Sequence, residues 1–92
     1  MNRISNKNAR SYVENKKEFK ANNVFAEYND KGHYVVYSYG RHFPMFAFHK
    51  NLGWIENDNI YSRSTSRQQS LVRPDVKIAI HMTTELIKYS IK

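Results

Sequence analysis

Residues 33–49 read HYVVYSYGRHFPMFAFH. Two runs rich in Tyr, Val and Phe flank a single glycine. Branched and aromatic side chains favour the pleated, half-buried surface of a sheet, so His33–Tyr39 and Phe43–His49 are expected as adjacent antiparallel strands. Gly40 and Arg41 form the turn between them. Gly40 is expected to take positive φ, which only glycine does without steric cost. Replacing it with Val is then expected to upset the register of both strands. Pro44 lacks an N–H, so its strand is either an edge there or begins late. Alternation puts Val35, Tyr37 and Tyr39 on one face and Tyr34 and Val36 on the other, with Phe43 and Met45 opposite Phe46 and Phe48. Both faces are apolar. Either helices cover both, or one aromatic face is left for a partner.

The pattern extends outward from this pair. Val24, Ala26 and Tyr28 alternate with Phe25 and Glu27 and predict a strand before the Asn29-Asp30-Lys31-Gly32 turn. Trp54–Asn57 predicts a short strand after the turn at 50–53. Alternation from Val76 to His81 predicts one more, and Thr83 or Thr84 can cap a terminal helix carrying Leu86, Ile87 and Ile91. Ser11 and Glu14 have capping-box spacing and predict a helix from Tyr12 to Ala21. The expectation is one α+β domain over residues 11–92, preceded by a flexible basic arm at 1–10. Its sheet is a mainly antiparallel meander of four to five strands, with an N-terminal helix and a short C-terminal helix.

At 92 residues with no cysteine, the domain has neither a disulfide nor a thiolate zinc site to staple it. Aromatic rings, 14% of residues, must supply much of its bulk. The formal net charge of +7 points to an anionic partner, namely nucleic acid, a ribonucleoprotein or an acidic protein face. The charge sits in the flanks. Residues 1–20 carry Arg3, Lys7, Arg10, Lys16, Lys17 and Lys20 against Glu14 and Glu18; residues 62–77 carry Arg63, Arg67, Arg73 and Lys77 against Asp75. There is no apolar run of membrane-spanning length and no export signal, so the expected location is the cytoplasm.

Residues 61–74, YSRSTSRQQSLVRP, hold three arginines among hydroxyls and amides and no acid. Guanidinium forks and hydroxyls suit phosphates and carboxylates. The segment is expected as an exposed binding loop using Arg63, Arg67, Arg73, Ser64, Thr65, Ser66 and Gln69, with Arg41 as a further anion contact. Tyr37, Tyr39 and Phe46 are candidate aromatic contacts, since rings beside cations suit unpaired bases. His33, His42, His49 and His81 show no metal-ligand spacing, and there is no phosphate-cradling glycine loop and no nucleophile elbow. The chain is therefore read as a binding protein with no metal, cofactor or catalytic residue.

The elements Tyr37-Ser38-Tyr39-Gly40 with His42 and Pro44, then Tyr61-Ser62, Ser64-Thr65-Ser66, Gln69 and Arg73-Pro74, carry a resemblance. They resemble a family of small proteins of phages, plasmids and other bacterial mobile elements that has no assigned activity. The resemblance implies an accessory protein acting inside a bacterial host cell. It would bind nucleic acid or a ribonucleoprotein; alternatively it would inhibit a host or defence protein complex, such as a CRISPR effector, through protein contacts.

Overall fold

The computed structural model describes residues 2–59 and 63–92. Seven strands form one sheet whose spatial order is the order of the chain. They are β1 (Asn2–Arg3), β2 (Phe19–Ala21), β3 (Val24–Tyr28), β4 (Tyr34–Ser38), β5 (Pro44–His49), β6 (Gly53–Asn57) and β7 (Ile80–Met82). Strands β2 to β6 are an antiparallel meander, while the outer pairs β1/β2 and β6/β7 are parallel. The helices are α1 (Ala9–Glu14), α2 (Arg63–Val72) and α3 (Thr84–Ser90). The α+β class and its terminal helices are as expected; the sheet has more strands, and α2 is an additional helix.

A parallel pair needs a crossover, and α1 and α2 lie in the two crossovers. The four reversals between β2 and β6 leave both parallel pairs pointing the same way and stepping across the sheet in the same direction. Right-handed crossovers therefore deliver both helices to one face. The core on that face contains Ala9 and Val13 of α1 and Val72 of α2 against Phe19, Val24, Ala26, Tyr34, Val36 and Phe46. The opposite face packs Val35, Tyr37, Ala47 and Ile55 against Ile87 and Ile91 of the C-terminal segment. Helices thus cover both faces, and the rings are mostly core.

Several local expectations are corrected. The basic N-terminal segment is tied to the sheet: β1 pairs with β2, and the Ile4 N–H donates to the Lys20 carbonyl at 2.8 Å. The first helix begins at Ala9 and stops at Glu14, so Ser11 lies inside it and makes no capping box. Lys16 takes φ 51°, and the Lys16 and Lys17 N–H groups donate to the Val13 and Tyr12 carbonyls. That is a Schellman ending with a lysine in the left-handed position. It frees Phe19 to enter β2.

A register shift after Val36 pairs Tyr37 with Pro44 and Val36 with Phe46. Met45 is the extra residue of this bulge. Phe43, Met45, Phe46 and Phe48 consequently join one core instead of dividing between faces. Pro44 starts its strand late, one of the two expected options. Strand β4 ends at Ser38, and the left-handed residue is Tyr39, at φ 65°, not Gly40. The cause is pairing: the Tyr39 N–H donates to the Asn23 carbonyl at 2.8 Å, holding the backbone there. For a non-glycine residue that conformation costs roughly 1–2 kcal/mol. Gly32, after Asn29, does take positive φ, at 84°. Only residues 80–82 of the predicted 76–81 strand region and its continuation pair with the sheet. Thr83 caps α3, its hydroxyl accepting from the Leu86 N–H at 3.3 Å. Among the described residues no helix is long and apolar enough to cross a membrane.

Candidate nucleic-acid interface

Residues 63–72 of the segment expected as a loop form helix α2. Thr65, Gln68, Gln69 and Val72 follow the i, i+3, i+4, i+7 spacing of one helical face, and that face meets the sheet. Thr65 is 1% exposed, and its hydroxyl lies 3.3 Å from the Ser38 hydroxyl. Ser38 also bonds the Gln68 amide oxygen. The Gln69 amide donates to the Asn57 carbonyl at 2.9 Å and reaches Glu56 at 3.4 Å. These side chains hold α2 to the ends of β4 and β6. Thr65 and Gln69 therefore clasp the domain, where a role in partner contact was expected of them.

Arg63 and Arg67 lie one turn apart on the outer side of α2 and are exposed, as is Ser66. Arg73 is engaged: it pairs with Glu56 and its guanidinium lies 5.6 Å from the Phe46 ring centre. Glu56 is nearly buried and also faces the His81 Nδ1 at 3.7 Å, and Asp58 approaches the same nitrogen at 3.5 Å. A hollow of about 360 Å³ lies between Glu56, Asp58, Ser66, Ser70, Arg73 and His81. Tyr61, Ser62 and the Ser64 side chain lie outside the described residues.

The two basic flanks meet on this face. Arg10 of α1 donates to the Ser70 carbonyl of α2 at 3.0 Å, and Glu14 accepts from the Asp75 N–H at 2.7 Å. The exposed Lys7 and Arg10 thereby share a layer with Arg63 and Arg67. Neutral side chains surround them on α2.

The other expected contacts are elsewhere. Arg41 lies on the opposite face of the sheet, in a bidentate pair with Glu27 at 2.7 and 2.8 Å. That pair raises the guanidinium's pKa further above its ordinary value. Tyr37 and Phe46 are buried, so their rings are closed to a partner; Tyr39 is exposed. Burial raises the hydroxyl pKa of Tyr37, and more strongly that of Tyr34, which donates to the Lys17 carbonyl at 2.7 Å.

The histidines are structural in two cases. His33 and His49 stack with ring centres 4.1 Å apart. The Nδ1 of His33 accepts from the Lys50 N–H, and that of His49 from the Asn51 and Leu52 N–H groups. The His49 Nε2 meets the Ser90 carbonyl at 3.1 Å, which makes this ring the neutral tautomer with its proton on Nε2. Burial first, then His49 and Lys50, hold the pKa of His33 below its ordinary value. No cluster of three metal-ligating side chains occurs among the described residues.

One residue that sequence reasoning missed organises this end of the domain. The Asn57 amide donates to the Pro44 carbonyl at 2.7 Å and to the Thr84 hydroxyl at 2.9 Å, and its oxygen accepts from the Asn59 N–H at 2.7 Å. Its position at a strand end beside Asp58 and Asn59 reads as an ordinary turn, so no signal in the chain marks it. With this geometry in view, neither a protein-family model, nor a curated protein, nor a solved structure matches the chain.

Proposed function

We propose that this protein binds nucleic acid, free or within a ribonucleoprotein, through the face formed by α1 and α2. One observation carries the reading: cations some fifty residues apart in sequence are layered together by two crossovers of the same hand. Lys7, Arg10, Arg63 and Arg67 are exposed there, and exposed guanidinium and ammonium groups bind phosphates by displacing counterions. The resemblance to mobile-element proteins makes the bacterial cytoplasm the setting. The role is binding, with no chemistry assigned to any side chain.

The test is binding of a labelled 24-base-pair duplex at two salt concentrations. Affinity should fall with a log–log slope of about −0.9 per phosphate contacted. The double variant Arg63→Ala, Arg67→Ala should flatten that slope by about two while melting like the parent. Duplex binding unchanged by the double variant would defeat the proposal.

A second reading has its own observation. Leu86 and Tyr89 are 55% and 76% exposed and lie one turn apart on the outside of α3. An inhibitor of a host or defence protein would dock there, and not through Tyr37 and Phe46. Capture of a partner from nuclease-treated host lysate that is lost in Leu86→Asp would favour it.

A further inference from the structure

The face of the sheet under α3 is not covered to its edge. Helix α3 lies over β5, β6 and β7. Across the β1–β4 end, strand register aligns Arg3 with Lys20, Lys20 with Phe25, and Phe25 with Tyr37 in one row. A groove of about 610 Å³ opens over this row, lined by Arg3, Lys20, Phe25, Tyr39 and Arg41. Arg3 and Lys20 make no ion pair among the described residues.

The groove contains a prepared stacking surface. The Phe25 ring stacks on Tyr37 with centres 5.1 Å apart, and the Arg41 guanidinium lies 5.5 Å from the Phe25 centre. Glu27 grips Arg41 through two hydrogen bonds, which fixes its plane, yet the Arg41 side chain is 69% exposed. Planar guanidinium groups and aromatic rings are surfaces on which unpaired bases stack. Beside it stands Tyr39, 50% exposed and held in the left-handed backbone described above. Lys16 and Asn23 share the left-handed region, and of the three Tyr39 alone sets an aromatic ring in the groove. Past Arg41, a second hollow of about 380 Å³ is lined by Lys31 and Lys92 together with Glu27 and Asp30.

From this geometry we infer that the groove is a second binding site, for a planar base bearing phosphate, and that two hollows joined at Arg41 suit consecutive nucleotides of an unpaired strand. A base stacks between Arg41 and Tyr39, and Arg3 and Lys20 hold the flanking phosphates. The site is on the face opposite α1 and α2 and stands independently of the duplex-binding proposal.

The experiment is fluorescence anisotropy with a labelled eight-residue oligothymidylate, an abasic oligomer of equal charge, and thymidine monophosphate as competitor. The oligothymidylate should bind more tightly than the abasic oligomer. Tyr39→Gly relieves the backbone while removing the ring, so it should melt no lower than the parent yet bind about 5- to 150-fold more weakly. Tyr39→Phe should bind like the parent. Arg41→Lys keeps the charge and loses the plane, so it should also weaken binding. Lys20→Ala should reduce the salt slope by about 0.7, the single-strand value per phosphate. Competition by the monophosphate at matching concentration assigns the site to free nucleotides; failure to compete assigns it to strands; both support it. Equal binding of the abasic oligomer, or parental affinity in Tyr39→Gly and Lys20→Ala, overturns it. So does loss of oligothymidylate binding in the Arg63→Ala, Arg67→Ala variant to the same extent as duplex binding.

Discussion

Replacing Asn57 with Ala should destabilise this domain more than any change to the exposed arginines. Its buried amide makes three hydrogen bonds, to the Pro44 carbonyl, the Thr84 hydroxyl and the Asn59 N–H. Each is worth about 1 kcal/mol net, and the Pro44 carbonyl would also be left in the core without its donor. The sum is about 3–4 kcal/mol. For a domain of this size each kcal/mol lowers the melting temperature by roughly 4–8 °C, so the drop is about 12–30 °C. Thermal and urea melts followed by circular dichroism would measure it. Asn57→Asp sharpens the test: at neutral pH it sets a carboxylate against the Pro44 carbonyl, whereas protonation restores a donor. Its deficit relative to the parent should therefore shrink as the pH falls. If Asn57→Ala melts within about 1 kcal/mol of the parent, the amide is not the junction between β5, β6 and α3 described above.

Stability should also fall in acid below pH 6.5, the ordinary His33 value. Because the folded pKa lies below the unfolded one, the unfolded chain takes the proton first, so stability is complete above 6.5 and lost as pH drops through the lowered folded value; His33→Gln should flatten that part of a pH–melting profile. Gly40→Ala should cost under about 1 kcal/mol, since Gly40 is not left-handed and the atom nearest an added Cβ, at 3.0 Å, belongs to the exposed His42 ring; a melt showing collapse would reinstate the glycine-turn expectation. Arg73→Ala should cost about 1–2 kcal/mol by leaving the nearly buried Glu56 short of its cation, whereas Arg67→Ala should melt within about 0.5 kcal/mol of the parent; equal losses would contradict the distinction between the engaged Arg73 and the outer Arg67.

The meander was legible because Tyr, Val and Phe in β4 and β5 state strand and face together. Helix α2 was not, because its sheet-facing stripe is Thr65, Gln68, Gln69 and Val72. Helical period is normally read from apolar residues, and here hydrogen-bonding groups carry it. The end of α1 was hidden by Lys16, which occupies a position where glycine is the usual marker. The bulge at Met45 moved Phe43 and Met45 onto the face of Phe46, a change that alternation alone cannot foresee. The short strand β1 has no signal in its own residues, while β7 keeps only the end of the strand that alternation predicts. Of the candidate site, composition singled out Arg63 and Arg67, which the fold leaves exposed; the alignment of Arg3, Lys20, Phe25 and Tyr37 needed the register of four strands.

Identity between spatial and chain order has a kinetic consequence. Strands β2 to β6 join only sequence neighbours, so their pairing can begin at the hairpin of β4 and β5 and zip in both directions with short loop closures. Strands β1 and β7 cannot join by that route, because each must wait for a crossover helix to find the sheet. The last parts to assemble are then the two margins of the molecule together with α1 and α2. The surface carrying the cations would mature after the scaffold, and would be the first to open when the protein is stressed.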